Sequence, residues 1–516
     1  MAIQASPIDS AQAFAGTEIL LTGGNGFLGK VVLGLLLDRY PDFRHVHFLI
    51  RPRRGTTAQE RFERDVLGSP ALDPTLQKPG REEISQKITV WPGDIGQPDC
   101  GLDAAGIARL KGRAGLIVNC AGLVEFFPPV DQSFQSNVDG VENVVALAKQ
   151  LGAKLLHVST CYVAGEADGL IEESEPIAGF YPNRRGPADD SFDHAEELAA
   201  CRAQIARITT ANGNDRTKEV TERLVQLGRQ RAARWGWVNT YTYAKSIGEQ
   251  IIATDPDLES TIVRPAIVES ALRFPFPGWV EGGRTAAPLV LMALSGLKDW
   301  PVRPEIPLEV VPVDLIAAAT LAAGALLLNG RHKPVYQLGS ADVNPMELGR
   351  LVPLLEDEAR RRAGGTNGAP PRWIEPSRRL RLLTAAAAEA RRKQFQRKVQ
   401  RAQKTLGGMR SALASSGLPG AAAISRWSSE LRTLELQAGF REQTLDQYLP
   451  FIFDNRYIFE SQNIRDGHRM LSEADQARLP WDPESIDWER YWRVNQIEGI
   501  RKWVQPEAVR EWAFKI

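Results

Sequence analysis

The feature that most constrains the fold is a short apolar run, a glycine-spaced turn and a helical segment, in that order. Glu18–Thr22 reads as a buried strand, and Lys30–Arg39 has the composition of a helix. Between them lies Gly23-x-x-Gly26-x-x-Gly29. In this setting the glycines allow a tight turn, close approach of the backbone to a pyrophosphate, and close packing of helix on strand. The stretch therefore predicts a dinucleotide-binding domain.

Strand-like runs continue along the chain, with helical segments between them. They lie at His45–Ile50, Ile88–Trp91, Gly115–Asn119, Leu155–Ser159 and Thr261–Val263. Such alternation is typical of a Rossmann-like α/β fold with a doubly wound parallel sheet. Ligands of these sheets bind beyond the carboxyl ends of the strands. The residues that follow each strand are therefore the candidate site.

The second strand ends in a basic turn, Arg51-Pro52-Arg53-Arg54. An NAD site usually has an acidic residue at this strand end, whereas the fork of an arginine suits the 2′-phosphate of NADP. We predict NADPH as the cofactor, with Arg51 as the main phosphate contact and Arg53 and Arg54 as helpers. For these two helpers, a solvated basic turn is the alternative interpretation.

Polar and small residues follow the third and fourth strands. Asp94 is placed to meet the adenine edge, and Ala121 and Gly122 would let the cofactor lie close. Asn137 stands before the next helical segment, where we expect it to cap that helix. A part in a proton path is the alternative for Asn137.

Tyr241 and Lys245 are four residues apart, so on a helix they share one face. A lysine beside a phenol favours the phenolate and lowers the pKa of the phenol, which makes Tyr241 a candidate proton donor to a carbonyl oxygen. On its own the pair is also compatible with two neighbours on a helix surface. The upstream glycine turn favours the catalytic interpretation.

The succession of the glycine turn, Ser159-Thr160 and Tyr-x-x-x-Lys resembles the extended short-chain dehydrogenase/reductase superfamily. In that superfamily a Ser or Thr hydroxyl and the tyrosine hydroxyl together hold the substrate carbonyl. Counting back from Gly165, the matching hydroxyl is that of Thr160. The resemblance implies that Thr160, Tyr241 and Lys245 are the catalytic residues.

A more specific resemblance is to the alcohol-forming fatty acyl-CoA reductases. Its signatures appear in that family's order at Leu21–Lys30, His157–Val163, Asn239–Lys245, Val263–Val268 and Phe276–Trp279. Two positions depart from the family: Ala266 stands where serine is common, and Phe274 where glutamate is common. The resemblance implies NADPH-dependent reduction of a long-chain fatty acyl-CoA, or of an acyl carrier protein thioester, to a fatty alcohol through an aldehyde.

The residues predicted to bind the cofactor lie in the glycine turn, directly after strands, or on the Tyr-x-x-x-Lys helix. They are Thr22, Gly23, Asn25, Gly26, Phe27, Leu28, Gly29, Arg51, Asp94, Ile95, Asn119, Ala121, Gly122, Tyr241, Lys245, Pro265 and Ile267. Pro265 and Ile267 would flank the nicotinamide. We predict no metal site, because no third ligand stands near His45 and His47 in the sequence.

Three other functions fit the same residues. The chain could be a reductase that stops at the aldehyde, or another extended short-chain dehydrogenase or epimerase acting on a sugar or steroid. It could also be an NADPH-binding protein without turnover, although the intact catalytic set argues against this. A covalent acyl-enzyme on Cys161 would need an activating base or cation, which the sequence does not provide.

About eighty residues separate Thr160 from Tyr241. Ala195–Ile208 and Lys218–Trp235 have apolar residues at helical spacing. They predict two helices that either form a lid over a hydrophobic tunnel or lie on the surface without a gating role.

The length of 516 residues predicts more than one domain. Residues 364–371 have the composition of a linker, and the tail from Phe451 onward, with Leu479–Pro483 and the Asp487-Trp488-x-x-Tyr491 element, resembles the C-terminal domain of fatty acyl reductases. We therefore predict a reductase domain over 1–365 and a mainly helical C-terminal domain over 366–516. Leu315–Leu328 is too short to span a bilayer and predicts a buried helix.

Lys plus Arg and Asp plus Glu both number 63, which argues against nucleic-acid binding. Arg372–Arg410 is an exception, with twelve basic residues against two acidic ones. This stretch predicts peripheral contact with anionic lipid headgroups or with CoA or carrier-protein phosphates, and a solvated helix is the alternative. The four cysteines without a C-x-x-C pair, and a start without signal-peptide features, predict a cytoplasmic location. The sequence makes no prediction of the oligomeric state.

Overall fold

The computed structural model describes residues 6–78, 84–186, 188–211, 215–283, 286–294, 299–364, 381–416, 429, 442 and 444–504. Its main feature is a seven-stranded sheet. The strands are β1 (Glu18–Thr22), β2 (His45–Ile50), β3 (Ile88–Pro92), β4 (Ala114–Asn119), β5 (Lys154–Val158), β6 (Ser260–Pro265) and β7 (Val335–Leu338). They pair in the order β7-β6-β5-β4-β1-β2-β3, and every pair is parallel. The predicted fold class, a doubly wound parallel sheet, is confirmed.

Helices cover both faces of the sheet, which explains why its strands are apolar throughout rather than alternating. Every residue of β1 is buried. Leu20 and Leu155 pack with Val144 and Leu147 of the helix Asp139–Leu151. The helices Phe27–Arg39 and Val313–Leu328 pack against each other, and the latter also contacts β5 and β6. Val313–Leu328 is buried over almost its whole length, as predicted.

The helices span Ser10–Gly16, Phe27–Arg39, Ala58–Phe62, Asp73–Leu76, Ala104–Leu110, Val130–Asn137, Asp139–Leu151, His194–Thr210, Lys218–Trp235, Thr240–Ala253, Ala287–Leu294, Val313–Leu328, Leu348–Gly364, Ala385–Ser416, Gln462–Arg469, Glu473–Arg478, Trp488–Arg490 and Ile497–Trp503. Short 3₁₀ segments lie at Ile84–Lys87, Pro98–Gly101, Cys161–Ala164 and Pro483–Ser485, and π-helical turns at Glu63–Leu67, Pro450–Asp454 and Tyr491–Gln496. Short strands outside the main sheet are Asp168–Ile171, Ile267–Glu269, Asp299–Pro301, Val310–Pro312, Arg381–Leu383 and Arg456–Phe459.

The chain divides into two compact units. The first comprises Met1–Thr285, Glu309–Pro345 and Tyr457–Gln505, and the second Ala286–Leu308, Met346–Arg456 and Pro506–Ile516. These two units do not coincide with the domains predicted on either side of residue 365, because the segment from Tyr457 onward returns to the unit that contains the sheet. The functional domains proposed for 1–365 and 366–516 stay a prediction. The predicted linker, beyond Gly364, and residues 372–380 of the basic stretch lie outside the described residues.

A buried carboxylate attaches this returning segment to the sheet-containing unit. Glu309 accepts hydrogen bonds from the backbone N–H groups of Ser340 (2.9 Å), Ala341 (3.1 Å) and Phe459 (2.8 Å). The hydroxyl of Tyr457 donates to the carbonyl oxygen of Gly165 at 2.8 Å. Burial raises the pKa of Glu309 to about 7, and the three N–H donors oppose that rise.

The replacement Glu309→Gln tests this balance through the pH dependence of stability. A carboxyl group whose pKa is raised on folding stabilises the protein most below its ordinary value of 4.5, and loses that contribution as the pH rises through 7. Gln cannot ionise. From pH 5 to pH 8 we therefore expect the free energy of unfolding of the wild type to fall relative to the variant by on the order of 2 kcal/mol. Urea unfolding at the two pH values measures the difference.

Glu166→Gln, at an exposed position of the same unit, is the matched control. Its difference from the wild type should be the same at both pH values. A constant difference for Glu309→Gln as well would contradict the raised pKa.

Candidate active site

The candidate site lies at the edge of the sheet where all the strands end. Thr22 of β1 pairs with Asn119 of β4, Asn119 pairs with His157 of β5, and Val158 pairs with Val263 of β6. This register brings the residues that follow the four strands to one place. The glycine turn follows β1, Ala121 follows β4 and Thr160 follows β5, whereas Pro265 is the last residue of β6. All of them therefore lie at this edge.

The glycine turn is built by close backbone approaches. Gly23 has φ +67°, and a Cβ atom there would lie 2.4 Å from the amide nitrogen of Ala121. A Cβ atom at Gly29 would lie 2.5 Å from the carbonyl oxygen of Gly23. The helix begins at Phe27, and its N-cap residue Gly26 has no side chain to cap the first turn. This cradle of bare backbone at a helix N-terminus fits the pyrophosphate of a dinucleotide.

The second and third strand ends place Arg51 beside Asp94. The guanidinium of Arg51 is 62% exposed, and its Nη1 lies 3.5 Å from Oδ2 of Asp94. Oδ1 of Asp94 accepts from the N–H of Gly96 at 3.0 Å, whereas Ile95 is buried. An exposed guanidinium at this strand end fits an anionic phosphate.

Tyr241 and Thr160 lie close to each other at the sheet edge. The helix that carries Tyr241 begins at Thr240 because Oδ1 of Asn239 accepts from the N–H of Thr242 at 2.8 Å. Oγ1 of Thr160 donates to the carbonyl oxygen of Pro265 at 3.3 Å, and the same hydroxyl lies near enough to the phenol of Tyr241 to act on its pKa. Two hydroxyls that lie this close can hold one carbonyl oxygen between them.

The pKa of Tyr241 moves in the direction opposite to the one expected from Lys245. Burial raises this pKa, and the nearby hydroxyl of Thr160 offsets only part of the rise. Desolvation therefore decides the direction of this shift. The phenol is protonated at neutral pH, as a proton donor must be.

Lys245 lies beside the end of β5 and is 4% exposed. Its Nζ donates to the carbonyl oxygen of Val158 at 2.7 Å and lies 3.2 Å from Nε2 of His157. Burial lowers the pKa of Lys245 to about 8, although the charge of Glu249 opposes the shift. His157 was not among the predicted site residues. The feature of the sequence that could have indicated it is a histidine that directly follows the apolar pair Leu155-Leu156 within a strand.

Asn137 corrects one prediction. It is the last residue of the helix Val130–Asn137, and the next helix begins at Asp139, so Asn137 does not cap it. Its side chain instead accepts from the N–H of Leu123 (3.0 Å) and donates to the carbonyl oxygen of the same residue (2.9 Å). Asn137 thereby fixes the loop that follows β4.

The two helices between Thr160 and Tyr241 are His194–Thr210 and Lys218–Trp235. They pack on the helix of Tyr241 through Tyr243, whose hydroxyl donates to Glu197 at 2.6 Å. Glu197 also accepts from Nε of Arg231 at 2.7 Å. Residues two apart on a helix face different directions, so these contacts lie away from the face of Tyr241. They favour the surface-helix interpretation, and the lid stays a prediction.

The described residues contain neither a metal-binding cluster nor a membrane-spanning helix. No group of three or more His, Cys, Asp or Glu side chains there could hold a metal ion. His45 and His47 instead bond to Thr89 and Glu18, both at 2.8 Å. Within the same residues, no helix is both long and apolar enough to cross a bilayer.

The parallel sheet, the glycine cradle and the hydroxyls of Thr160 and Tyr241 together define a class of protein. They identify a nicotinamide-dependent oxidoreductase of the extended short-chain dehydrogenase/reductase class. The NAD-binding family model described as Male sterility protein matches residues 21–320. The chain is 32% identical over 343 residues to the alcohol-forming fatty acyl-CoA reductase of Simmondsia chinensis, covering 64% of this chain and 68% of that relative. It is 28% identical over 509 residues to the chloroplastic fatty acyl-CoA reductase 2 of Arabidopsis thaliana, covering 95% and 78%. The chain therefore belongs to the fatty acyl-CoA reductase family.

A solved structure supports the fold alone. The terminal R domain of the myxalamid PKS-NRPS biosynthetic pathway superposes with a TM-score of 0.51 at 19% identity, covering 93% of this chain and 91% of that domain.

Cys161 directly follows Thr160, but its thiol is bonded and neutral. Sγ donates to the carbonyl oxygen of Arg264 at 2.8 Å, and burial raises the thiol pKa well above its usual range. A nucleophilic cysteine needs the opposite shift. The structure therefore gives the covalent alternative no support.

We expect Cys161→Ala to keep the acyl-CoA-dependent oxidation of reduced cofactor within about twofold of the wild type, because the variant removes no reacting group. Thr160→Val, one residue earlier, should lose most of that rate in the same spectrophotometric assay. A loss of several orders of magnitude in Cys161→Ala, with the fold intact by circular dichroism, would restore the acyl-enzyme route.

Proposed function

We propose that this protein reduces a long-chain fatty acyl-CoA to the primary alcohol, through the aldehyde, with NADPH as the reductant. The observation that carries the proposal is the pair of hydroxyls of Thr160 and Tyr241 at the sheet edge, beside the glycine cradle. The names of the relatives support the acyl-CoA substrate. An acyl carrier protein thioester would present the same reacting carbonyl.

The residues at the sheet edge fit a dinucleotide cofactor. The glycine turn and the first turn of its helix would hold the pyrophosphate, Arg51 the 2′-phosphate, and Lys245 the ribose next to the nicotinamide. Pro265 and Ile267 would flank the nicotinamide. The cofactor supplies hydride when it is bound.

Tyr241 and Thr160 act on the oxygen of the thioester carbonyl. As the carbonyl carbon becomes tetrahedral, negative charge develops on that oxygen, and two placed hydroxyl donors stabilise it by about 3 kcal/mol or more. Tyr241 then transfers its proton to this oxygen. The resulting hemithioacetal expels the CoA thiol and leaves an aldehyde, whose carbonyl the same two hydroxyls hold for the second reduction.

The proposal also includes contact between the second unit and an anionic surface. The helix Ala385–Ser416 exposes Lys393, Arg397, Arg401 and Lys404 at spacings of three or four residues, so these basic side chains share one face. This face supports peripheral contact with an anionic surface. The four cysteines are free thiols, which supports the predicted reducing, cytoplasmic setting.

Purified protein incubated with NADPH and acyl-CoAs of graded chain length should give the corresponding alcohols, identified by gas chromatography. Tyr241→Phe should lower kcat by about 100- to 1000-fold, because it removes both the proton and one of the two oxyanion donors. Its affinity for NADPH, measured by fluorescence titration, should stay nearly unchanged.

Accumulation of aldehyde without alcohol would identify a reductase that stops at the aldehyde. Absence of reaction with every acyl thioester would favour another extended short-chain dehydrogenase, and NADPH binding without consumption a non-catalytic role. Normal turnover by Tyr241→Phe would contradict its role as the acid.

Arg51→Ala tests the choice between NADPH and NADH. Loss of one charge-assisted contact to the 2′-phosphate should weaken NADPH by about 10- to 100-fold and leave NADH nearly unchanged. Dissociation constants of both cofactors, measured by titration, give the comparison. Lys111→Ala, at an exposed position before β4 and therefore at the opposite edge of the sheet, serves as the control for a general change of charge. Equal losses of NADPH and NADH in Arg51→Ala would contradict the phosphate contact.

A further inference from the structure

A chain of buried hydrogen bonds runs across the ends of β1, β4 and β5 to Lys245. Oγ1 of Thr22 donates to Oδ1 of Asn119 at 2.6 Å, and Nδ2 of Asn119 lies 3.0 Å from Nδ1 of His157. Nε2 of His157 lies 3.2 Å from Nζ of Lys245. Thr22, Asn119 and His157 are each at most 1% exposed, so each polar atom depends on these partners.

The orientation of the Asn119 side-chain amide is fixed by a backbone N–H group, which can only donate a hydrogen bond. The backbone N–H of Ala121 donates to Oδ1 of Asn119 at 3.3 Å, on the same side as the hydroxyl of Thr22. Oδ1 therefore faces Ala121, and Nδ2 faces the imidazole. Because Nδ2 can only donate, Nδ1 of His157 is the acceptor, and the proton of the neutral ring lies on Nε2.

This tautomer directs an N–H donor at the amine of Lys245. An ammonium group has three donors and no acceptor, whereas a neutral amine has one lone pair. The carbonyl oxygen of Val158 takes one N–H of Lys245. All the partners in the chain of hydrogen bonds are therefore satisfied only when Nζ of Lys245 accepts from His157.

The other ionisable groups near Lys245 do not reverse this conclusion. Glu249, one turn further along the helix, is engaged by Nε of Arg264 at 2.9 and 3.1 Å, and burial raises the pKa of Cys120 to about 12. Burial also lowers the pKa of His157 well below its ordinary range, which excludes the imidazolium near neutral pH. Burial also lowers the pKa of Lys245 to about 8, in the direction of the neutral amine.

We propose that His157 is a positioning residue: Asn119 holds it as the Nε2–H tautomer, and this tautomer keeps Lys245 a neutral amine in the protein without cofactor. When Lys245 leaves His157 to contact the ribose in the proposed reaction, its amine takes up a proton from the solvent. The inference builds on the proposed role of Lys245. The tautomer, however, is a property of the protein alone, so the two proposals can fail separately.

Nitrogen-15 NMR of cofactor-free protein labelled at its six histidines tests the tautomer directly. The His157 signal is identified by its loss in His157→Gln. We expect it to have the Nε2–H pattern and not to titrate between pH 6 and 9. A proton on Nδ1, or an imidazolium within that range, would overturn the proposal without bearing on the reductase activity.

Asn119→Asp should reverse the arrangement. A carboxylate accepts from Nδ1–H, which leaves Nε2 of His157 as an acceptor for the ammonium of Lys245. We expect the Nδ1–H pattern in the NMR spectrum, and a basic limb of the pH profile of kcat/KM moved upward by about one unit or more. Asn143→Asp, whose amide donates to the carbonyl oxygen of Ile95, makes the same change of charge elsewhere and should leave the tautomer unchanged. An unchanged tautomer in folded Asn119→Asp would refute the role assigned to Asn119.

Discussion

The parallel pairing of the strands is the constraint on which the rest of the structure depends. Parallel strands end at the same edge of a sheet, so residues from distant parts of the sequence meet there. The register of Thr22, Asn119 and His157 brings three polar side chains side by side in an apolar sheet. One residue of slip in β4 would turn Asn119 to the opposite face and break the chain of hydrogen bonds to Lys245.

Desolvation sets the protonation states at this edge. It raises the pKa of Tyr241 and lowers the pKa of Lys245, so both changes favour the neutral form. A protonated phenol can give its proton to a carbonyl oxygen, and a partly neutral amine can take one up. The buried edge thus favours proton transfer near neutral pH, provided that hydrogen bonds hold each group in place.

The returning segment from Tyr457 depends on a similar balance. Three backbone donors from two separate segments converge on the buried carboxylate of Glu309, and burial still raises its pKa to about 7. The resemblance to a reductase C-terminal domain identified this segment by its aromatic residues. Its attachment depends on Glu309, which no sequence motif marks.

The sequence by itself determined the fold class and six of the seven strands, with small shifts at their ends, and it marked Thr160 and Tyr241 as members of one candidate site. Local patterns suffice for these features, because glycine spacing, apolar runs and helical spacing act within a few residues. Only the tertiary structure decided the function of Asn137, the direction of the pKa shift at Tyr241 and the contact between His157 and Lys245. These features depend on burial and on partners far apart in the sequence, and neither can be read from a local pattern.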